Sequence, residues 1–288
     1  MKIIKYFFQF LIIYLLLVFF KILGYKRALI FGSLIGRIFG RLIRSKKIIL
    51  KNLSYIYKNS KIDEINKEEI VDEVYSNYGK ILSEYVFLEK FRNGILKQNV
   101  TIKGKDHLEK IKLDNKKVIF VSGHFSNFEL MAMFIDDAGI KLSTIYRPLN
   151  NFFLNRIMEK IRIKYICRNQ IKKGKSGTRQ IISDLKNNFS IALMIDQRVS
   201  EGIKCDFFGV PAFTTTIPAQ IVKKFGCEII PVHIERYDQT KFVLSFEKPV
   251  KFGEKLTTEE ITLQLNKILE RMIVKNPSQW ILTHNRWK

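Results

Sequence analysis

The chain has 288 residues, 47% of them apolar, which is enough to bury a core in one large or two small domains. Its formal net charge is +23, so an anionic partner is expected: a nucleic acid, a phosphorylated ligand or an anionic membrane. The three cysteines have no metal-ligand spacing and form an odd set. This pattern indicates no metal site and predicts free thiols in a reducing compartment.

The positive charge is concentrated near the start of the chain, where the sequence is also most apolar. Thirteen Lys and Arg precede Asp63, the first acidic residue. The apolar stretch, Tyr6 to Phe20, is interrupted only by Gln9 and is shorter than the roughly twenty residues of a membrane-spanning helix. A tilted span that includes Ile3 and Ile22 is one interpretation, and a secretory signal is another.

An uncleaved membrane anchor is the interpretation that the flanking residues favour. No small-x-small cleavage pattern follows the apolar stretch, as a secretory signal would require. Basic residues are more numerous after the stretch than before it, where only Lys2 and Lys5 occur; those that follow are Lys21, Lys26, Arg27, Arg37 and Arg41. The positive-inside rule therefore predicts that the body of the protein lies on the cytoplasmic side of the membrane.

A second apolar stretch, Ala28 to Leu42, contains Gly32, Gly36 and Gly40 at four-residue spacing. On a helix these glycines share one face and let another helix approach closely, although an ordinary packed helix would also fit the pattern. A basic helix next to an anchor suits an anionic lipid surface. We therefore predict an anchor with a basic interfacial helix over residues 1–45 and a separate domain over residues 46–288.

Nucleic-acid binding is the other explanation for the charge. The chain has no zinc-finger spacing and no aromatic box of the kind found in RNA-recognition motifs. Its aromatic residues are instead concentrated in the anchor, which suits lipid better than stacked bases. No nucleic-acid partner is therefore expected.

Helical and strand patterns alternate along the remainder of the chain. Helices are predicted at 67–90, 128–137, 152–163, 178–185, 217–225 and 258–274. Strands are predicted at 117–122, 142–146, 190–195, 228–234 and 242–247. This alternation predicts an α/β fold in which helices cover both faces of a sheet.

The segment with the clearest chemistry follows the apolar run Val118–Val121. His124 comes just after this predicted strand, and Glu129 follows five residues later in the first turn of a predicted helix. A carboxylate on one imidazole nitrogen fixes the tautomer, so that the other nitrogen can accept a proton as a general base. A histidine that only forms a structural hydrogen bond is the alternative.

Three neighbouring residues have predicted backbone roles. Gly123 permits an unusual backbone angle just before the histidine, and Ser126 or Asn127 can cap the following helix. The exposed N-terminus of that helix offers free N–H groups to an anion. No GxSxG elbow occurs and no cysteine has a base nearby in sequence, so direct transfer to a hydroxyl is favoured over a covalent intermediate.

A series of motifs, in order along the chain, resembles the glycerolipid-type acyltransferases and, more narrowly, the bacterial late acyltransferases of lipid A. The segment 122–129 is similar to the HxxxxD/E signature in its Glu form. The other similar segments are Tyr146-Arg147-Pro148, Gly177-Thr178-Arg179, Asp196-Gln197-Arg198, the loop 207–215, and the ending Trp280, His284 and 286–288. The resemblance covers essentially the whole chain and implies a central mixed sheet flanked by helices.

The resemblance also implies roles for individual residues. His124 would deprotonate a hydroxyl of a lipid A precursor, with Glu129 orienting the imidazole and stabilising the imidazolium. Arg147 would bind phosphate or carboxylate, since its planar fork fits either. Asp196 would bind the acceptor or position Arg147, with a structural ion pair as the alternative. The other implied substrate-binding residues are Asn127, Arg179, Gln197 and Arg198.

The same resemblance predicts the partners of the protein. The donor would be a fatty acyl thioester on acyl carrier protein or coenzyme A, and lauroyl or myristoyl transfer is the narrower expectation. The acceptor would be a phosphorylated glycolipid in the inner membrane, and no metal or other cofactor is expected. The alternatives are another glycolipid or lysophospholipid acceptor, or a non-catalytic basic adaptor that binds membrane or nucleic acid.

Overall fold

The computed structural model describes residues 2–58 and 67–288. In this part of the chain the α-helices are α1 Lys2–Leu23, α2 Tyr25–Ile43, α3 Lys46–Ile56, α4 Lys67–Glu84, α5 Leu88–Asn93, α6 Lys105–Leu113, α7 Glu129–Asp137, α8 Phe152–Ile161, α9 Lys175–Lys186, α10 Ile217–Phe225 and α11 Thr258–Lys275. The strands are β1 Val100–Lys103, β2 Ile119–Ser122, β3 Leu142–Tyr146, β4 Asn169–Lys172, β5 Ser190–Met194, β6 Ile203–Phe207, β7 Val210–Thr214, β8 Ile229–Tyr237 and β9 Lys241–Phe246.

Seven of these strands form one sheet in the order β1-β9-β8-β2-β5-β3-β4, and β6 pairs with β7 in a separate antiparallel hairpin. Strands β8, β2, β5, β3 and β4 are parallel, whereas β9 is antiparallel to β8 and parallel to β1. The predicted α/β fold with a mixed sheet and flanking helices is thus confirmed. The central strands β2 and β5 are buried almost throughout, which explains their continuous apolar sequences.

Each predicted strand and helix is present at its predicted place, although several ends differ. The helix predicted at 67–90 is divided by a 3₁₀ turn, Tyr85–Phe87, between α4 and α5. The sequence prediction missed α3, α6, β1, β4 and the β6–β7 hairpin. Both β1 and β4 are four-residue strands at the edges of the sheet. An edge strand pairs on one side only and is partly exposed, so its sequence lacks the continuous apolar run of a buried strand.

The predicted glycine face on α2 packs directly against α4. A Cβ atom on Gly32 would lie 2.6 Å from the carbonyl oxygen of Gly79, and one on Gly36 would lie 2.2 Å from that of Tyr75. A Cβ on Gly40 would lie 2.6 Å from the Tyr75 ring. Because only glycine permits this approach, the interpretation of the spacing as a helix contact is confirmed.

In the described part of the chain, α1 is the one helix long and apolar enough to cross a membrane, which makes it a candidate anchor. It leads directly into α2 through Gly24, whose φ of 73° suits glycine. The predicted domain boundary at residue 45 falls between α2 and α3. That boundary stays a prediction, and α2 contacts the α/β domain through Arg41, which pairs with Asp72 of α4 at 2.5 Å.

Candidate active site

The strand register brings two polar residues together at the carboxyl edge of the sheet. In the parallel β2–β5 pair, Ser122 lies opposite Met194. His124 lies two residues after Ser122, and Asp196 lies two residues after Met194. This edge is where open α/β sheets place their ligands.

Asp196 forms two hydrogen bonds with His124. Its Oδ1 lies 2.7 Å from the ring nitrogen Nδ1, and its Oδ2 accepts the backbone N–H at 2.6 Å. A carboxylate at Nδ1 keeps the ring proton on that atom and leaves Nε2 as the basic nitrogen. The His124 side chain is 19% exposed and Asp196 is fully buried. The ring can therefore reach a substrate while its partner stays shielded from water.

Trp280 completes the environment of Asp196. Its indole Nε1–H donates to Oδ2 at 2.9 Å. Burial alone would raise the pKa of Asp196, but the charge of His124 and the hydrogen bonds from His124 and Trp280 outweigh it, so the pKa is lowered. Asp196 is thus held as a carboxylate, the form that can stabilise an imidazolium.

The contacts of Glu129 differ from the prediction, since Asp196 and not Glu129 lies on the His124 ring nitrogen. Glu129 accepts from Tyr85 at 2.5 Å and from Nε and Nη2 of Arg162 at 2.9 and 2.7 Å. Burial lowers the pKa of Arg162, but the charge of Glu129 outweighs it and the pKa is raised. A carboxylate paired with a permanent cation in this way fixes helix α7 against the turn that follows α8.

The backbone of the turn that carries His124, residues 123–128, also corrects two predictions. The strained residue is Ser126, with φ of +41°, and not Gly123. Gly123 is required for space instead, since a Cβ there would lie 2.8 Å from the Phe125 ring. Neither Ser126 nor Asn127 caps the following helix, because α7 begins at Glu129 without a side-chain cap.

Asn127 lies in a buried network instead of at a helix cap. Its side-chain amide donates to Glu84 at 3.1 Å, and Glu84 accepts two hydrogen bonds from Arg236 at 2.6 and 2.8 Å. Glu84 and Arg236 form a buried ion pair. Since Asn127 is 1% exposed, its position does not favour the substrate contact that was predicted for it.

A small recess opens onto the imidazole. Its lining includes Tyr78 and Ile81 of α4, Phe128 beside the ring, and Trp280. The Phe128 ring meets the His124 ring edge to face at a centroid distance of 4.7 Å. The recess is thus mostly apolar, with the imidazole at its wall.

Comparison with known proteins identifies the family. The model of the bacterial lipid A biosynthesis acyltransferases matches residues 1–288. The protein belongs to this family. Among its relatives, the lipid A biosynthesis palmitoleoyltransferase of Escherichia coli K12 is 23% identical over 85% of this chain and 79% of its own. The lipid A biosynthesis myristoyltransferase of the same organism is 23% identical over 86% and 77%. Acyltransferase 2 of Shigella flexneri is 24% identical over 86% and 79%.

Family membership confirms acyl transfer in lipid A biosynthesis and implies a lipid A precursor as the acceptor. The named relatives include palmitoleoyl and myristoyl enzymes, so the finding supports a lipid A acyltransferase without favouring the narrower lauroyl or myristoyl type.

Two arginines that the resemblance assigned to substrate lie on the surface of this acyltransferase. Arg147 is exposed directly after β3, and Arg179 is exposed on α9. The backbone N–H of Lys173 donates to the carbonyl of Tyr146 at 2.9 Å, which places Lys173 next to Arg147 along the sheet edge. Asp196 is committed to His124 and Trp280 and does not position Arg147. Gln197 is half-buried directly after Asp196.

Arg198 and the segment 276–288 contact each other. The backbone N–H of Arg198 donates to Nε2 of His284 at 2.9 Å, and its guanidinium donates to the Lys288 carbonyl at 3.0 Å. Burial lowers the pKa of His284, which is consistent with a neutral ring accepting that hydrogen bond. Arg286 is fully buried and donates to Phe213 and Thr214. These arginines therefore have structural contacts in addition to any role with substrate.

Sequence reasoning missed Glu84, Tyr85, Arg162 and the bond from Trp280 to Asp196. Arg162 begins a π-helical turn after α8, and no local motif marks it as a partner of Glu129. A signal did exist for Asp196, because it follows the end of its strand by the same two residues as His124. Using that signal requires knowing that β2 and β5 are neighbours.

Proposed function

We propose that this protein transfers an acyl chain to a hydroxyl of a lipid A precursor. In this reaction His124 acts as the general base that accepts the proton of that hydroxyl. The observation that carries this proposal is the 2.7 Å contact between Nδ1 of His124 and the buried Asp196. This contact fixes the tautomer in which Nε2 is basic. The ring lies at the wall of a small recess and is 19% exposed, and we place the acceptor hydroxyl at Nε2.

The reaction needs one base and no covalent enzyme intermediate. Nε2 accepts the proton of the acceptor hydroxyl as its oxygen attacks the carbonyl carbon of the acyl thioester. A C–O bond forms and the C–S bond breaks, after which the imidazolium returns the proton to the leaving thiolate. Asp196 stabilises the imidazolium between these two steps.

Cysteine chemistry does not favour the alternative of an acyl-enzyme intermediate. All three cysteines are free and buried. Burial raises the pKa of the Cys167 thiol to about 12 and also raises those of Cys205 and Cys227. Since the thiolate is the nucleophile, these residues are poorly suited to accept an acyl group.

Glu129 has a positioning role in this proposal. Its pairing with Arg162 and Tyr85 holds the start of α7 directly after the turn that carries His124. This replaces the role of orienting the imidazole that the motif implied. The carboxylate of the family signature thus acts through the backbone that carries His124.

The donor in this proposal is an acyl thioester on acyl carrier protein, and the enzyme works at the cytoplasmic face of the inner membrane. The net charge of +23 would attract both an acidic carrier and a phosphorylated acceptor. Arg147, Lys173 and Arg179 offer exposed cationic groups near the carboxyl edge of the sheet, where we place the acceptor phosphate. The apolar helix α1 supports the membrane location.

The test is mass spectrometry of lipids from cells that lack their own late acyltransferase and express the protein. Wild type should add one acyl chain to a tetraacylated precursor, and His124→Ala should lower transfer by at least about 10²-fold while staying folded. His107→Ala, on helix α6, is the matched control and should retain activity. Full activity in His124→Ala would refute the proposed base, and acylation of a different glycolipid would refute the proposed acceptor.

A further inference from the structure

One side of helix α1 contacts protein along most of its length. The less exposed positions include Tyr6, Phe10, Ile13, Leu17 and Phe20, and most residues between them are exposed. Their alternating spacing of four and three residues is that of a helix packed along a seam. A helix that crossed a bilayer alone would have no such side.

The contacts occur near both ends of this seam. Near the start, the side-chain amide of Asn151 donates to the Tyr6 carbonyl at 2.8 Å, and the rings of Phe10 and Phe153 lie 5.7 Å apart. Near the end, Phe20 is fully buried. Both halves of α1 are therefore attached to the α/β domain.

This attachment leaves little of α1 to cross a membrane. The helix rises about 21 Å between Tyr6 and Phe20, compared with a hydrocarbon core of about 30 Å. Residues 2–5 and 21–23 of α1 extend beyond the seam, and residues 21–23 lead directly into α2. If α1 spanned the bilayer, α8 would enter the hydrocarbon with it, and α8 has exposed Arg156 and Lys160. Charged groups are costly there.

The outward face of α2 continues the apolar surface of α1. Ile30, Leu34, Ile38 and Leu42 recur every four residues, and each is more than half exposed. The side of α2 opposite to them is the glycine face that packs on α4. An edge-to-face contact between Phe19 and Phe31, with centroids 5.7 Å apart, joins the two helices. Together they form one exposed apolar surface, which we call the α1–α2 surface.

The charges around the α1–α2 surface identify its partner. Residues 2–58 contain no Asp or Glu, and the exposed cationic residues around the surface include Lys5, Lys26, Arg27 and Arg37. An exposed apolar face with cationic residues around it fits a bilayer of anionic lipids, where each nearby cation adds attraction.

We propose that α1 lies in the plane of the membrane and that the α1–α2 surface enters one leaflet without crossing the bilayer. The proposal rests on the membrane location in the proposed function and specifies its geometry. The catalytic recess is then fixed to the side of the membrane that α1 contacts, and both ends of α1 stay on that side.

Thiol labelling of membrane vesicles tests this geometry, because the three native cysteines are buried. One variant carries a cysteine on a short Gly-Ser extension ahead of Met1, and a second carries Lys110→Cys on the exposed side of α6. A membrane-impermeant maleimide should label both variants in vesicles of the same orientation. Labelling in opposite orientations would show that α1 spans the bilayer and would overturn the proposal.

Acyl transfer is measured on the same vesicles, so that a failure of the proposed function is seen separately from a failure of the proposed geometry. Wild type without an added cysteine is the labelling control and should remain unlabelled.

Substitutions on α2 give a second test. The double variant Leu34→Glu and Ile38→Glu should bind anionic phosphatidylglycerol vesicles at least tenfold more weakly than wild type, while its activity in detergent remains. Leu113→Glu, at an exposed leucine of α6, is the matched control and should bind like wild type. Unchanged binding of the double variant would mean that the outward face of α2 does not enter the membrane.

Discussion

Two buried carboxylates lie close to the turn that carries His124, and they differ in the partner that each one holds. Asp196 is paired with His124, whose charge changes when its ring gains or loses a proton. Glu129 is paired with Arg162, whose charge is permanent. Only in the first pair can the carboxylate stabilise a charge that its partner gains on protonation. The chemical role of a buried carboxylate is therefore set by its partner more than by its place in a sequence motif.

The largest expected effect is on the Asp196 side of this comparison. Asp196→Asn keeps the size of the side chain but removes the charge that stabilises the imidazolium. We expect kcat to fall by about 10²–10⁴-fold with little change in the melting temperature. Steady-state kinetics and thermal unfolding in detergent measure the two quantities. A variant with near-wild-type kcat would contradict the role of this pair.

Glu129→Gln should act chiefly on stability. It leaves Arg162, whose side chain is 14% exposed, without its counter-ion, which costs about 3 kcal/mol of unfolding free energy. Adding Arg162→Met should restore much of that stability, because the unpaired cation is then gone. Thermal unfolding of the single and double variants measures this. If Glu129→Gln instead abolished activity at unchanged stability, the carboxylate would have the catalytic role that the motif first predicted.

A smaller effect is expected at Trp280, which donates a hydrogen bond to the Asp196 member of the His124–Asp196 pair. Trp280→Phe keeps an aromatic ring but removes the N–H that donates to Asp196. Loss of one hydrogen bond to a charged group predicts a decrease in kcat of about tenfold with KM unchanged. Trp287→Phe is the matched control, because that indole donates to the Phe207 carbonyl and not to the site. Equal effects of the two variants would remove Trp280 from the catalytic network.

The smallest effect concerns His233, a buried histidine that packs next to the turn that carries His124 and has no carboxylate partner among the described residues. Its ring meets the Phe125 ring at 4.8 Å, and burial lowers its pKa to about 4. Between the ordinary pKa near 6.5 and about 4, the unfolded chain binds a proton that the folded state does not, so stability falls as the pH falls through this range.

Replacing this histidine should remove that dependence. His233→Gln should lose less stability than wild type when the pH is lowered from 7 to 5, as measured by the melting temperature. His107→Gln on α6 should keep the wild-type slope. An identical slope in His233→Gln would show that other groups cause the pH dependence.

The sequence predicted the sheet, the position of His124 and the family, but it assigned the wrong carboxylate to the ring. Strand patterns and short motifs are local, and both lie within a few residues of His124. The pairing of β2 with β5, which brings Asp196 to His124, is non-local and has no linear signal. The same limit applies to Arg162, whose contact with Glu129 depends on how the turn after α8 packs.

In this protein an acidic residue that is near His124 in sequence, Glu129, is not the partner of its ring. Glu129 is close to His124 in sequence because it begins the next helix, but the first turn of that helix points the carboxylate toward Tyr85 and Arg162. The residue after the neighbouring parallel strand reaches the ring instead. Here the acidic residue after the adjacent strand, and not the nearest one along the chain, is the partner of the imidazole.

The joining of His124, Asp196 and Trp280 also fixes an order of events during biosynthesis. The chain is made from its N-terminus, so α1 and α2 leave the ribosome long before these three residues can meet. Under the proposed membrane geometry, attachment to lipid can then occur while the His124 site is still incomplete. The hydrogen bonds to Asp196 are complete only after Trp280 has emerged.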